Sequence, residues 1–79
     1  MIIKKYVMTI TDLVRIASAG GGFNIDCSNY SVLDIVRIAA AANTGGGLIF
    51  LNNTSKFTII DKVRISAASK GHVIFNDME

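Results

Sequence analysis

One nine-residue pattern occurs three times along the chain, and it constrains the fold more than any other feature of the sequence. The copies are TITDLVRIA over 9–17, SVLDIVRIA over 31–39 and TIIDKVRIS over 58–66. Each opens on Ser or Thr, carries Asp three residues on, and closes on Val-Arg-Ile and a small residue. Glycine-bearing turns follow at 18–22 (SAGGG), 43–47 (NTGGG) and 69–71 (SKG). Each turn leads into a short apolar run: FNIDC over 23–27, LIFL over 48–51 and VIF over 73–75. The copies start 22 and then 27 residues apart (9 to 31, then 31 to 58), so the second connection is the longer. Self-similarity at such periods marks an array of supersecondary units, each too small to bury its apolar face alone.

Helix chemistry gives the unit its shape. Thr9, Ser31 and Thr58 are N-cap residues whose hydroxyls can accept from an orphan N–H two or three residues on. Asp12, Asp34 and Asp61 then fall at the third helical position, where a carboxylate completes a capping box and suits the positive helix end. Apolar residues at 10, 13, 14 and 17, and again at 32, 35, 36 and 39, share one helix face. The glycines beyond each helix permit a left-handed cap and a tight reversal into a strand. Helices are predicted near 9–19, 31–43 and 58–69, and strands near 2–7, 23–27, 48–52 and 72–76. The order βαβαβαβ implies a parallel sheet with right-handed crossovers. The predicted fold is thus a single α/β domain over 1–79, a short solenoid-like array of units at about 9–27, 31–52 and 58–76 behind a first strand. It has a four-stranded parallel sheet with three helices on one side.

A domain of 79 residues has little core to spare. Its apolar fraction of 51% against 18% charged residues favours a packed core over disorder. Cys27 is the only cysteine, which rules out an internal disulfide. That single thiol, with no signal-like apolar run after the opening MIIKKYVM, points to a reducing, cytoplasmic setting. Every apolar stretch is broken well short of the roughly 20 residues a membrane span requires.

The repeated Ser/Thr-x-x-Asp-Leu-x-Arg-Ile-Ala core with its Gly turn, best carried by residues 31–50, resembles small bacterial proteins made of tandem βα units, short relatives of leucine-rich repeats. The strand pattern of true leucine-rich repeats, apolar-x-apolar-x-x-Asn, is met at Leu48, Phe50 and Asn53 but not at Phe23, Ile25 and Ser28. The resemblance implies the βα architecture and assigns no activity and no functional residue.

Strand alternation divides the surfaces. Aligning the glycine turns directs Phe23, Ile25, Leu48, Phe50, Val73 and Phe75 toward the helices. It turns Asn24, Asp26, Ile49, Leu51, Ile74 and Asn76 to the opposite, open face, which Lys4 and Tyr6 join from the first strand. Ile49, Leu51 and Ile74 would form an apolar centre with Lys4, Tyr6, Asn24, Asp26 and Asn76 around it. Apolar patches with polar rims mark contact sites. Lys62, where the other copies have Leu13 and Ile35, suits the last unit of an array.

Chemistry is sparse. The glycines follow helices and lead into strands, the reverse of a phosphate-binding loop. His72, the only histidine, has no partner at metal-ligand spacing. Cys27 would need a base, and a strand-end cysteine lies at the opposite sheet edge from a strand-start histidine, so Cys27 reads as a buried filler. Arg15, Arg37 and Arg64 would form a ladder on the outer helix face that could meet phosphates, but Asp12, Asp34 and Asp61 are within pairing reach three residues earlier. The strand-to-helix loops Cys27–Tyr30 and Asn52–Phe57, the second carrying Lys56, are a further place for a specificity contact.

The expected role is a non-enzymatic protein–protein interaction module without catalytic residues, metal or cofactor, its partner another protein or a second copy of itself. A sharper form makes it a small inhibitor or immunity-type protein of a bacterial or phage genome. The alternative is nucleic-acid binding through Arg15, Arg37 and Arg64 with Lys4, Lys5, Lys56 and Lys70, which a net charge of +2 supports weakly.

Overall fold

Three side-chain N-caps begin the three helices, two of them reciprocal. In the computed structural model, which describes residues 8–77, the Thr9, Ser31 and Thr58 hydroxyls accept from the Asp12, Asp34 and Asp61 N–H groups at 3.1–3.2 Å. The Asp34 and Asp61 carboxylates accept in return from the Ser31 and Thr58 N–H groups at 3.4 and 3.1 Å. These contacts start α1 (Ile10–Ser18), α2 (Val32–Gly45) and α3 (Ile59–Ser69). The helices end differently. The cap of α1 is Ala19 in an ordinary right-handed conformation, whereas α2 and α3 end on left-handed Gly46 and Lys70.

Each helix returns the chain to a strand: β1 (Phe23–Asp26), β2 (Ile49–Asn52) and β3 (Val73–Phe75). The strands lie in the order β1-β2-β3, parallel at both junctions, and α2 packs between α1 and α3. The described chain is therefore an α/β fold of three helices and a three-stranded parallel sheet. The first strand predicted over 2–7, with Lys4 and Tyr6, lies outside the described residues. Strand β1 stops one residue earlier than predicted, and Cys27–Asn29 form a single 3₁₀ turn capped by the Asp26 side chain.

The core joins Leu13 and Ala17 of α1, Ile35, Ile38, Ala39 and Ala42 of α2, and Ile65 of α3 to Ile25, Ile49 and Leu51 of the sheet. Glycine contributes more here than turns. A Cβ on Gly45 would strike the Ala17 carbonyl and stand 2.7 Å from the Gly20 nitrogen. The last turn of α2 thus packs backbone to backbone against the end of α1, an approach no larger residue permits.

The register of β2 corrects the sequence-based division of faces. Phe23 pairs with Ile49 and Ile49 with Val73, while Ile25 pairs with Leu51 and Leu51 with Phe75. Ile49 and Leu51 therefore turn toward the helices and are 0% exposed, and Leu48 and Phe50 take the other parity. Strands β1 and β3 have the predicted faces. The cause is the unequal length of the helix ends. Aligning the two glycine triplets assumes they do the same work, but Gly45 is still helical and Gly46 is the cap. That leaves Gly47 and Leu48 as a two-residue link, against three glycines after Ala19. Leu48 consequently stands opposite Gly22, where a Cβ would meet the Leu48 carbonyl at 2.7 Å. A one-residue difference in link length exchanges the two faces of a strand.

This geometry makes opposite predictions for two apolar strand residues. Leu51→Lys should abolish cooperative folding, because burying an unpaired ammonium costs several kcal/mol, comparable to the whole stability of a small domain. Ile74→Lys, on the exposed side, should leave the circular dichroism spectrum and melting temperature nearly unchanged. A folded Leu51→Lys protein would mean that β2 has the opposite parity.

Candidate protein-binding surface

Two cross-strand rows build the sheet face away from the helices. The inner row is Asn24, Phe50 and Ile74; the outer pairs Asp26 with Asn52, and Asn76 follows β3 beside it. Asn24, Asp26, Ile74 and Asn76 are exposed and Phe50 and Asn52 are partly covered, with Ile74 40% exposed. Leu48, one residue ahead of β2, is exposed as well. Of the predicted contact residues, the sheet brings Asn24, Asp26, Ile74 and Asn76 together. Ile49 and Leu51 are withdrawn into the core, and Phe50 and Leu48 replace them as apolar centre. The parity of β2 hid these two from sequence reasoning.

The polar rim is ordered by its own hydrogen bonds. The Asn76 side-chain amide donates to the Asn52 side-chain carbonyl at 3.0 Å, and the Asn53 amide donates to Asp26 Oδ1 at 2.9 Å. Asp26 Oδ1 also accepts from the Ser28 N–H at 3.0 Å and hydroxyl at 2.6 Å. Asn53 holds this position with a left-handed backbone, φ 58°, which asparagine tolerates better than most residues. Behind the rim, buried Thr54 donates its hydroxyl and its N–H to the Asp77 carboxylate at 2.7 and 2.8 Å. Those two bonds hold the Asp77 pKa below the ordinary carboxylate value.

The strand-to-helix loops, the further place for a specificity contact, are braced. Lys56 Nζ donates to the Tyr30 carbonyl at 2.8 Å and the Ser28 carbonyl at 3.4 Å, and stands 5.5 Å from the Phe57 ring centre. It ties one strand-to-helix loop to its neighbour. The Tyr30 hydroxyl donates to the Met8 carbonyl at 2.7 Å, and burial, with the Asp34 charge behind it, raises its pKa.

The arginine ladder is present but not neutralised as predicted. Arg15, Arg37 and Arg64 are exposed, and among the described residues they form no ion pair with Asp12, Asp34 or Asp61. The Asp34 and Asp61 carboxylates curl back to the N-cap N–H groups, away from the residue three positions on. Arg15 and Arg37 border a shallow groove of about 470 Å³ between α1 and α2, floored by Ile10, Val14 and Ala41.

The remaining chemistry is structural. Cys27 is fully buried, and desolvation, reinforced by the Asp77 and Asp26 charges, pushes its thiol up to about 11. His72 Nδ1 donates to the Gly47 carbonyl at 2.8 Å, pinning β3 to the link before β2. Among the described residues no group of His, Cys, Asp and Glu could hold a metal ion, and no helix is long and apolar enough to cross a membrane. No family model, no curated protein and no solved structure matches the chain.

Two outcomes follow. Cys27 should react with a thiol reagent at pH 8 only as fast as the protein unfolds, and free-thiol reactivity in the native state would place it at the surface. Because the Asp77 pKa is depressed by folding, its contribution is full above the ordinary value near 3.8 and is lost as pH falls through the lower native value. Asp77→Asn should therefore lower stability at neutral pH and flatten its decline below about pH 4, read from denaturant melts across that range.

Proposed function

We propose that this protein is a non-enzymatic interaction module, a short array of βα units that presents its open sheet face to another protein. The observation that carries this reading is the composition of that face. Phe50, Ile74 and Leu48 lie within a rim of Asn24, Asp26, Asn52 and Asn76, whose outer members are already fixed by mutual hydrogen bonds. A preordered rim loses little side-chain entropy on binding, and a small apolar centre supplies the burial that drives association. The sharper form, an inhibitor or immunity-type protein of bacterial or phage origin, fits a small module with one such surface. The resemblance to tandem βα-repeat proteins belongs to the same reading.

Nucleic-acid binding is the second reading, and one observation favours it: the three ladder arginines carry no ion pair among the described residues. Against it, Lys56 is engaged by loop carbonyls, which removes one of the cations counted for that role.

A photo-crosslinking side chain at position 74, and separately at position 37, tests the two in the producing cell. The module reading expects one protein adduct from position 74 that is lost when Asn24 and Asn76 are both changed to Lys. Adducts to nucleic acid from position 37, together with a salt-sensitive gel shift abolished by changing all three ladder arginines to Ala, would replace it with the second reading.

A further inference from the structure

One residue of the repeated pattern has no partner inside the molecule. All three copies share Asp, Val, Arg and Ile. The Asp N–H groups complete the helix caps. Val14 and Val36 pack against the core, and Ile38 and Ile65 belong to it. Arg15, Arg37 and Arg64 are exposed, and among the described residues their guanidinium groups make no hydrogen bond and no ion pair. Folding therefore uses the other three shared residues and leaves the arginines turned to solvent.

Their placement gives them a common geometry. Matching positions on three helices packed side by side put the arginines in one row across the helix layer, with α2 in the middle. The residue four positions before each arginine lies on the same helix face. These residues are Thr11, Leu33 and Ile60, and the last two are 57% and 69% exposed. A basic row thus runs beside a row that is apolar on α2 and α3. Between α1 and α2 the layer is indented by the groove of about 470 Å³ that Arg15 and Arg37 border. Ile10, Val14 and Ala41 floor it, and no carboxylate lines it.

We infer that this outer helix face binds an acidic amphipathic helix of another protein, laid across α1, α2 and α3 along the arginine row. Charge selects the occupant, since three cations without internal partners call for carboxylates, which guanidinium groups bind in planar, bidentate fashion. Spacing selects a helix. Packed helix axes stand roughly 8–10 Å apart, and seven residues of a helix rise about 10.5 Å. A carboxylate at every seventh position therefore meets each arginine in turn. Apolar residues three or four positions after each carboxylate fall between the arginines, over the groove floor and against Leu33 and Ile60. A phosphate backbone would satisfy the arginines but gain nothing from that apolar row. Exposed ion pairs contribute mainly orientation and association rate, so burial of Leu33 and Ile60 supplies most of the affinity. The helices separate this face from the open sheet face, and the two partners do not compete.

The probe is a synthetic, fluorescein-labelled peptide of three heptads, with Glu at every seventh position, Leu four residues after each Glu, and Ala and Gln between. Its anisotropy is titrated with the folded protein. Saturable binding that weakens with salt is expected, and a scrambled peptide of the same composition should not bind. Arg37→Glu should weaken binding by about tenfold or more, through like-charge repulsion at the centre of the row. Leu33→Ser should weaken it as well, and both variants should keep the wild-type circular dichroism spectrum. Failure of the ordered peptide to bind overturns the inference. Equal binding of the scrambled peptide also does, since that is unspecific attraction, and so does indifference to Leu33→Ser. Tighter binding of duplex DNA or of phosphatidylserine vesicles, lost in Arg37→Glu, overturns it too and gives the row to phosphate. None of these outcomes bears on the open sheet face, which the crosslink at position 74 tests separately.

Discussion

The backbone contact between the end of α1 and the end of α2 sets the rest of the structure. Gly45 lies against the Ala17 carbonyl and the Gly20 nitrogen, so α2 runs on to Gly45 and caps at Gly46. Two residues then remain before β2. Their number decides that Ile49 and Leu51 face the helices, and so which residues are left for solvent. A function carried by the open sheet face therefore depends on a glycine that is not itself part of it. Any side chain at position 45 would push the two helix ends apart, and the register of β2 would lose the contact that determines it.

The same economy governs the polar groups. A parallel sheet this small has strand ends that cannot all be covered by core, and their side chains satisfy one another instead. Asp26 gathers Ser28 and Asn53, Asn76 reaches Asn52, and Asp77 takes both polar hydrogens of Thr54. No buried side-chain nitrogen or oxygen among the described residues is left without a partner. This is what a marginal core requires, since one unsatisfied buried group costs about as much as a good apolar contact returns. It also makes the rim stiff, and a stiff polar rim suits recognition better than a mobile one.

Much of this was readable from residues alone because it is local. Ser or Thr with Asp three positions later determines a helix start irrespective of surroundings, and all three caps form where the pattern placed them. Of the apolar face predicted for α2, Ile35 and Ala39 are buried and Val32 and Val36 partly so, while Ile38, Ala41 and Ala42 are buried as well. Legibility ended where two copies of one motif did different work. The triplets at 20–22 and 45–47 are identical in sequence, yet one is a link and the other is mostly helix end. The difference comes from a tertiary contact that no local rule contains. Ile49 and Leu51 were misplaced for that reason, while Phe23, Ile25 and Ile74, on strands with unambiguous links, were not. The Asp–Arg pairs failed for a related reason: a carboxylate three residues before an arginine is also three residues after an N-cap, and the cap contact is the shorter-range and better-defined of the two.

The third copy of the motif departs from the first two. Lys62 and Ser66 replace apolar residues of the earlier copies, yet Ile59, Ile60 and Val63 keep their apolar character and are exposed. A flank designed only for solvent would have lost those as well, since three large apolar side chains on one helix of 11 residues invite unspecific association. A flank designed for a continuing stack of parallel units would have kept an apolar residue at 62, because Leu13 and Ile35 at that position supply core in the other helices. Helix α3 therefore combines an exposed apolar stripe at 59, 60 and 63 with polar residues at two positions that supply core in α1 and α2.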